Sequence, residues 1–253
     1  IPVYTVYDGE ATSDLRHRLP KATIVRYQGD SIMHQKLLII DNQKIWIGSA
    51  NMTKSSLNIH SNLVLEIDNK SLAEALTKRV KSMDESGNHS PLPHLKTTAG
   101  EQDLEFWVLP DDPQAVAKII DLLRLAQKTI KVAMFTWTRA DFAEELIAAK
   151  NRGVHVEVVI DRYSGNGASA KIVRLLLKNG VSVRLSVGSK LMHHKFAYID
   201  DTLLISGSAN WTLRAFTQND DFFTILYPLT NRQKAKMDMI WNLVVKESEP
   251  VKK

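Results

Sequence analysis

The stretch His193-His194-Lys195-Phe196-Ala197-Tyr198-Ile199-Asp200-Asp201-Thr202-Leu203-Leu204-Ile205-Ser206-Gly207-Ser208-Ala209-Asn210 decides the fold. Its spaced residues read H-x-K-x4-D-x6-G-S-A-N. The same pattern runs from His34 through Lys36, Asp41, Gly48, Ser49 and Ala50 to Asn51. A lone H-x-K says nothing. The whole set at identical spacing, twice in one chain, marks an internal duplication and a molecule built from two similar halves.

Each copy reads as a hairpin. The residues after the Lys are apolar, without Gly or Pro, and make a strand. Side chains alternate along a strand, so His193 and Lys195 share one face and His194 takes the other. His34, Lys36 and Gln35 repeat that arrangement. Asp41 and Asp200 stand at the strand end, before the turn residues Asn42-Gln43 and Asp201-Thr202. A second strand follows, Lys44 to Ile47 or Leu203 to Ile205, and Gly-Ser-Ala-Asn closes it. The hairpin returns Asn51 beside His34 and Lys36, and Asn210 beside His193 and Lys195. Two copies face to face supply two imidazoles, two ammonium groups and two carboxamides. That set suits a phosphodiester. Lysines and asparagines hold the non-bridging oxygens and the charge that develops on them. One histidine attacks phosphorus while the other protonates the leaving oxygen. With lysine charge in place, neither a metal nor another cofactor is called for.

The duplicated pattern resembles that of the phospholipase D superfamily, often called the HKD family. The resemblance covers both motifs, and the surrounding repeat units extend it over most of the chain. It implies an α/β fold of two pseudo-repeated lobes with the active site at their interface. One chain then completes the site, with no partner protein. It also implies a covalent phosphohistidine intermediate formed without metal, and supporting rather than substrate-touching roles for Asp41 and Asp200, with Ser49 and Ser208 beside them. In the resembling nucleases, an acidic residue eleven positions after the motif Asn holds the nucleophilic imidazole. Eleven positions after Asn210 stands Asp221; eleven after Asn51 stands the uncharged Asn62. The expectation is that His193, backed by Asp221, is the nucleophile and His34 the general acid. A zinc site at His193-His194 is the competing reading, but there is no Cys, no H-x3-H and no H-E-x-x-H spacing, and a Lys sits beside each His.

The residues after the motifs bear on substrate. Asn51-Met52-Thr53 and Asn210-Trp211-Thr212, with the tail Thr217-Gln218-Asn219-Asp220-Asp221, resemble the endonuclease-like branch. Phosphatidyl-transferring synthases usually carry Asp and then Arg-Ser after the Asn, which neither copy does. Nucleic acid is the favoured substrate, and hydrolysis or headgroup transfer on phospholipids is the alternative. A non-catalytic binding module is a third reading; it predicts a lost His or Lys, and both copies are intact.

Composition agrees with a globular chain acting on a polyanion. Its 253 residues carry a formal net charge of +5, 44% hydrophobic residues and no cysteine. A disulfide framework and a thiolate nucleophile are thereby excluded. No apolar run approaches the roughly 18 residues of a membrane span.

Alternating strand and helix patterns between Leu104 and Leu185 predict mostly parallel sheets flanked by helices. Asp84 to Asp103, rich in Gly, Pro and Ser, breaks the pattern. It divides a first lobe, 1–88, from a second, 104–253, with 89–103 as linker. His89 and His94 fall in this stretch and read as solvated loop histidines. The first lobe lacks counterparts of 104–152. The chain begins Ile1-Pro2, and repeat arithmetic predicts that about fifty residues or more of a longer protein precede it.

Overall fold

Residues 1–251 are described by the computed structural model. In the first half, β1 (Tyr4–Asp8) and β2 (Thr23–Tyr27) pair in parallel. Strands β3 (Leu37–Ile40), β4 (Lys44–Gly48) and β5 (Val64–Asp68) form a separate antiparallel sheet. Helix α1 (Lys54–Asn58) follows β4, and α2 (Lys70–Ser82) follows β5. The cap of α2 is Asn69, whose side chain accepts from the Leu72 amide.

The second half contributes β6 (His94–Ala99), β7 (Gln102–Leu109), α3 (Ala115–Leu125), β8 (Thr129–Met134), α4 (Ala140–Asn151), β9 (His155–Ile160), α5 (Arg162–Asn166) and α6 (Ala170–Lys178). It continues with β10 (Ser182–Ser186), β11 (Lys195–Ile199), β12 (Leu203–Gly207), α7 (Leu213–Thr217), β13 (Asp221–Tyr227), α8 (Asn231–Lys246) and β14 (Ser248–Pro250). These strands form one nine-stranded sheet in the order β14-β10-β9-β8-β11-β12-β13-β7-β6.

That sheet is mostly antiparallel, which corrects the expectation of parallel sheets. Only β8–β9 and β9–β10 pair in parallel within it. They are the strands joined by the crossovers α4 and α5–α6, where the helix–strand alternation is clear. Beyond β8, the hairpins β11–β12 and β6–β7 are set by short turns, which can only return a strand antiparallel. The motif hairpin β11–β12 docks on β8 and is continued by β13, β7 and β6, each reversed against its neighbour.

The stretch 89–103 is likewise more than a linker. Residues His94 to Ala99 are the edge strand β6, in register from His94↔Trp107 to Ala99↔Gln102. Only Leu95 and Ala99 are apolar in it, and prolines precede it, so its pattern is that of an edge strand with few side chains to bury. Its histidines are half-buried and each faces an aspartate. His94 Nδ1 lies 2.6 Å from Asp112 Oδ2 and its ring stacks on Trp107. His89 Nε2 lies 3.2 Å from Asp111 Oδ1.

Both faces of the large sheet are buried, so its middle strands read as continuous apolar runs. Ala197, Ile199, Phe223 and Ile225 pack under α3, α4 and α6. Phe196, Tyr198, Phe222 and Leu226 pack on the other side, against Trp241 of α8 and against Ile45, Ile47, Leu72 and Leu76 of the first half. The two motif hairpins thus share one core. Among the described residues no helix is long and apolar enough to cross a membrane.

Candidate active site

Two features of the repeat shape each hairpin. The turns Asp41-Asn42 (φ 53° and 48°) and Asp200-Asp201 (φ 51° and 54°) are left-handed at both central residues. This is the type I′ turn that matches strand twist, and Asp and Asn tolerate it best after Gly. At the far end the motif glycines are obligatory. A Cβ on Gly48 would lie 2.1 Å from the Leu63 carbonyl oxygen, and one on Gly207 would lie 2.3 Å from that of Phe222.

That close approach puts the residue eleven past each motif Asn at the centre. The serines then fix it. Ser208 Oγ donates to Asp221 Oδ1 at 2.6 Å and accepts from the Phe222 amide; Ser49 Oγ donates to Asn62 Oδ1 at 2.9 Å and accepts from the Leu63 amide. The segments before the histidines cross over to these same residues. The His34 amide donates to the Asp220 carbonyl and the Asp220 amide to that of Ile32. The His193 amide donates to the Ser61 carbonyl and the Ser61 amide to that of Leu191.

The crossing reverses the expected pairing. Asp221 Oδ1 lies 2.7 Å from His34 Nδ1, in the other repeat, while His193 Nδ1 faces Asn62 Oδ1 at 3.1 Å. Asp221 therefore backs His34 and not His193. The Asn62 orientation is unambiguous, because its NH2 donates to the Ser56 and His60 carbonyls. Its oxygen faces His193, so His193 Nδ1 carries the proton. Asp221 imposes the same tautomer on His34. Each Nε2 is left with its lone pair free.

Both motif lysines are buried. Lys36 Nζ donates to the His34 carbonyl, and Lys195 Nζ to that of His193 at 3.0 Å, so each Lys braces its own His. Burial pushes Lys36 down to about 8 against the pull of Asp221 and Asp8. Lys195 is driven well below the usual lysine range by burial and then by Lys36. Burial, with the two lysines behind it, takes His193 down to about 2. For His34 burial also lowers the value, but Asp221 opposes it. The centre is therefore short of negative charge, and burial disfavours positive charge on its lysines and imidazoles. It is prepared for an anion.

Asn51 and Asn210 are half-buried at the ends of their hairpins, and Asn210 Oδ1 accepts from the Thr136 amide at 3.3 Å. Asp200 sits at the opposite end of its hairpin, where its carboxylate accepts the amides of Gln127, Lys128 and Thr129. Asp200→Ala should lower stability by about 0.5–1.5 kcal/mol, the net worth of hydrogen bonds that water can largely replace at this exposed end. Turnover per folded molecule, measured below the melting transition, should stay within about twofold. His194 lies across the strand against Phe196, and among the described residues no group of three or more His, Asp or Glu could hold a metal ion. The residue that the duplicated motif did not mark is Asp220, whose main chain brackets His34; only its place in the tail 217–221, beside the counted Asp221, pointed toward it.

A cavity of about 490 Å³ opens behind Asn62, lined by Met192, His194 and Lys190 and by Ile240, Leu243 and Val244 of α8. No Phe, Tyr or Trp lines it.

Comparison with known proteins places this geometry in context. The family described as "Cardiolipin synthase, PLD-like domain" matches residues 7–83 and 119–241. The chain is 31% identical over 133 residues to a mitochondrial cardiolipin hydrolase of Chlamydomonas reinhardtii, covering 52% of this chain and 59% of that protein. It is 35% identical over 111 residues to the protein of that name from Xenopus tropicalis, covering 44% of this chain and 52% of the other. It thus spans little more than half the length of these relatives. Among solved structures, the phospholipase D family member Nuc from Salmonella typhimurium superposes with a TM-score of 0.57 at 22% identity, over 60% of this chain and all of that one. The phosphatidylserine synthase of Haemophilus influenzae gives 0.68 at 12% identity, over 87% of this chain and 64% of the other. Both share the fold.

Proposed function

Because this chain belongs to the PLD-like domain family, we propose that it hydrolyses phosphodiesters through a covalent phosphohistidine on His34. The observation that carries this is the asymmetry of the two imidazoles, one backed by the Asp221 carboxylate and the other by the Asn62 amide. A nucleophilic nitrogen gains positive charge as it bonds to phosphorus, and a carboxylate at the far nitrogen stabilises it. His34 Nε2 attacks phosphorus and the bond to the leaving oxygen breaks. His193 gives that oxygen its proton. His193 then takes a proton from water, which attacks phosphorus, and the P–N bond breaks to regenerate His34. Lys36 and Lys195, with Asn51 and Asn210, hold the non-bridging oxygens throughout.

The free site leaves His193 neutral, so its proton must arrive with the substrate. An anion between the two lysines raises both the lysines and the imidazole. Binding of vanadate at pH 7 should therefore take up protons. Calorimetry in buffers of differing ionisation enthalpy measures this; uptake near zero or net release would contradict it.

For substrate we favour a phospholipid diester over nucleic acid. The curated relatives are named cardiolipin hydrolases. The cavity behind Asn62 offers an apolar wall of Met192, Ile240, Leu243 and Val244, a surface that suits the apolar part of a lipid. Nucleic acid stays as a second reading on the nuclease-like tail 217–221 and the net charge of +5. Purified protein is tested on cardiolipin, phosphatidylglycerol, single-stranded DNA, duplex DNA and RNA. The His34→Asn/His193→Asn double variant serves as blank. Lipid turnover in the presence of EDTA is expected. Turnover of nucleic acid alone would reverse the substrate, and dependence on added metal would refute the lysine-only scheme.

A further inference from the structure

The two halves of the site are not equally anchored. On the His193 side, the bracketing residue is Ser61, with only main-chain bonds to Leu191 and His193. On the His34 side, the equivalent residue is Asp220, and its side chain meets a buried cation. Arg79 of α2 is 3% exposed; its Nη2 donates to Asp220 Oδ1 at 3.0 Å and its Nε to Asp111 Oδ2 at 3.1 Å. Asp111 also accepts from the Leu92 amide and faces His89 Nε2, which lies 3.9 Å from Asp220 Oδ1. One guanidinium thus ties α2 of the first half to two acidic residues of the second.

Such a cluster is a poor choice if the aim is only to hold the halves together. Taking ions out of water is expensive, and apolar packing of similar volume commonly does as well or better. What the cluster adds is direction. Asp220 accepts the His34 amide through its carbonyl, and it directly precedes Asp221, which orients the His34 ring. The planar guanidinium gives one hydrogen bond to each carboxylate, so its rigid plane sets Asp220 relative to Asp111.

We propose that Arg79 is a positioning residue for the reaction, acting through Asp220 to hold His34 and Asp221 in line. The inference rests on the assignment of His34 as nucleophile. Without the guanidinium, residue 220 can rotate and carry both the His34 backbone and the Asp221 carboxylate with it. An error of about 1 Å at a nucleophile lowers rate by about 10²-fold.

The test uses Arg79→Met, Arg79→Lys and Asp220→Asn in the full chain. On the favoured substrate, kcat of Arg79→Met should fall by about 10²-fold with KM within about threefold, and Arg79→Lys should recover part of the loss. Independently of turnover, nitrogen-edited NMR follows the imidazole Nδ1 protons. The His34 signal, shifted downfield by Asp221, should move upfield or broaden in Arg79→Met, while that of His193 stays. If Arg79→Met does not fold, Asp220→Asn, which keeps the shape and removes the charge partner, should give the same two changes. A folded variant with unchanged kcat and an unchanged His34 signal, whatever its melting temperature, overturns the proposal. If the wild type turns over no diester, the proposed function fails, and the His34 signal alone still decides the role of Arg79.

Discussion

Acid-quenched enzyme should carry its phosphate on His34, and His34→Asn should abolish both the adduct and turnover. Removing the nucleophile of a covalent mechanism leaves only what binding and charge stabilisation contribute, so the loss should reach about 10⁴-fold or more. His193→Asn should behave differently. It removes the proton donor, so turnover of a substrate with a poor leaving group falls steeply, yet a diester with an activated phenolate leaving group should still phosphorylate His34. Asp221→Ala should weaken adduct formation, because the imidazole loses both its tautomer control and its countercharge. Peptide mapping decides the assignment. Phosphate on His193 would restore the pairing expected from the position of Asp221 in its own repeat.

Lys195→Met should lower kcat by about 10²–10³-fold, corresponding to the loss of one charge-stabilising donor of about 2.7–4 kcal/mol. The same substitution should leave the fold as stable as before or stabilise it by about 1 kcal/mol, as is common when a functional site gives up a buried charge. Lys195 is 3% exposed, bonds only the His193 carbonyl and shares its surroundings with Lys36. The pH dependence has a definite sign. A lysine whose folded pKa lies below its unfolded value opposes folding at low pH, and that penalty disappears as pH rises toward the unfolded value. Wild-type stability should therefore climb with pH up to the ordinary lysine range near 10.5. Part of that climb comes from Lys36, in the window from about 8 upward. Lys195→Met should show only the Lys36 part. Melting curves across pH check both claims, and a variant that melts well below wild type at pH 7 would show that the buried ammonium is structural.

Much of the centre was legible because its constraints are local. The hairpin needs a left-handed turn at Asp41-Asn42 and Asp200-Asp201, a Gly where β5 or β13 comes too close for a Cβ, and alternation to aim His and Lys together. Each leaves a fixed residue at a fixed spacing, so the repeat could be read directly. The helices α4 and α6 and the strands between them were equally plain, being long periodic segments. The edge strand β6 was not, since an edge buries little and its alternation is correspondingly weak. His89 and His94 misled for a related reason. A histidine in a polar stretch looks the same whether solvent or an aspartate faces it, and Asp111 and Asp112 are brought to them only by the pairing of β6 with β7.

The sequence by itself determined that two copies of one hairpin exist and that each carries His, Lys, Ser and Asn. It also marked Asp221 and Asn62 as unequal residues at equal positions. What only the tertiary structure decided is which imidazole each of them serves. Spacing reports on contacts within a strand and its turn, where the backbone sets the distance. It carries nothing about a pair 187 positions apart, such as His34 and Asp221. That pairing follows from the way the two halves cross, with Asp220 laid between Ile32 and His34, and Ser61 between Leu191 and His193. Main-chain hydrogen bonds of that kind are indifferent to side-chain identity, so they leave no mark in the sequence. Yet they place the Asp221 carboxylate opposite the histidine of the other repeat.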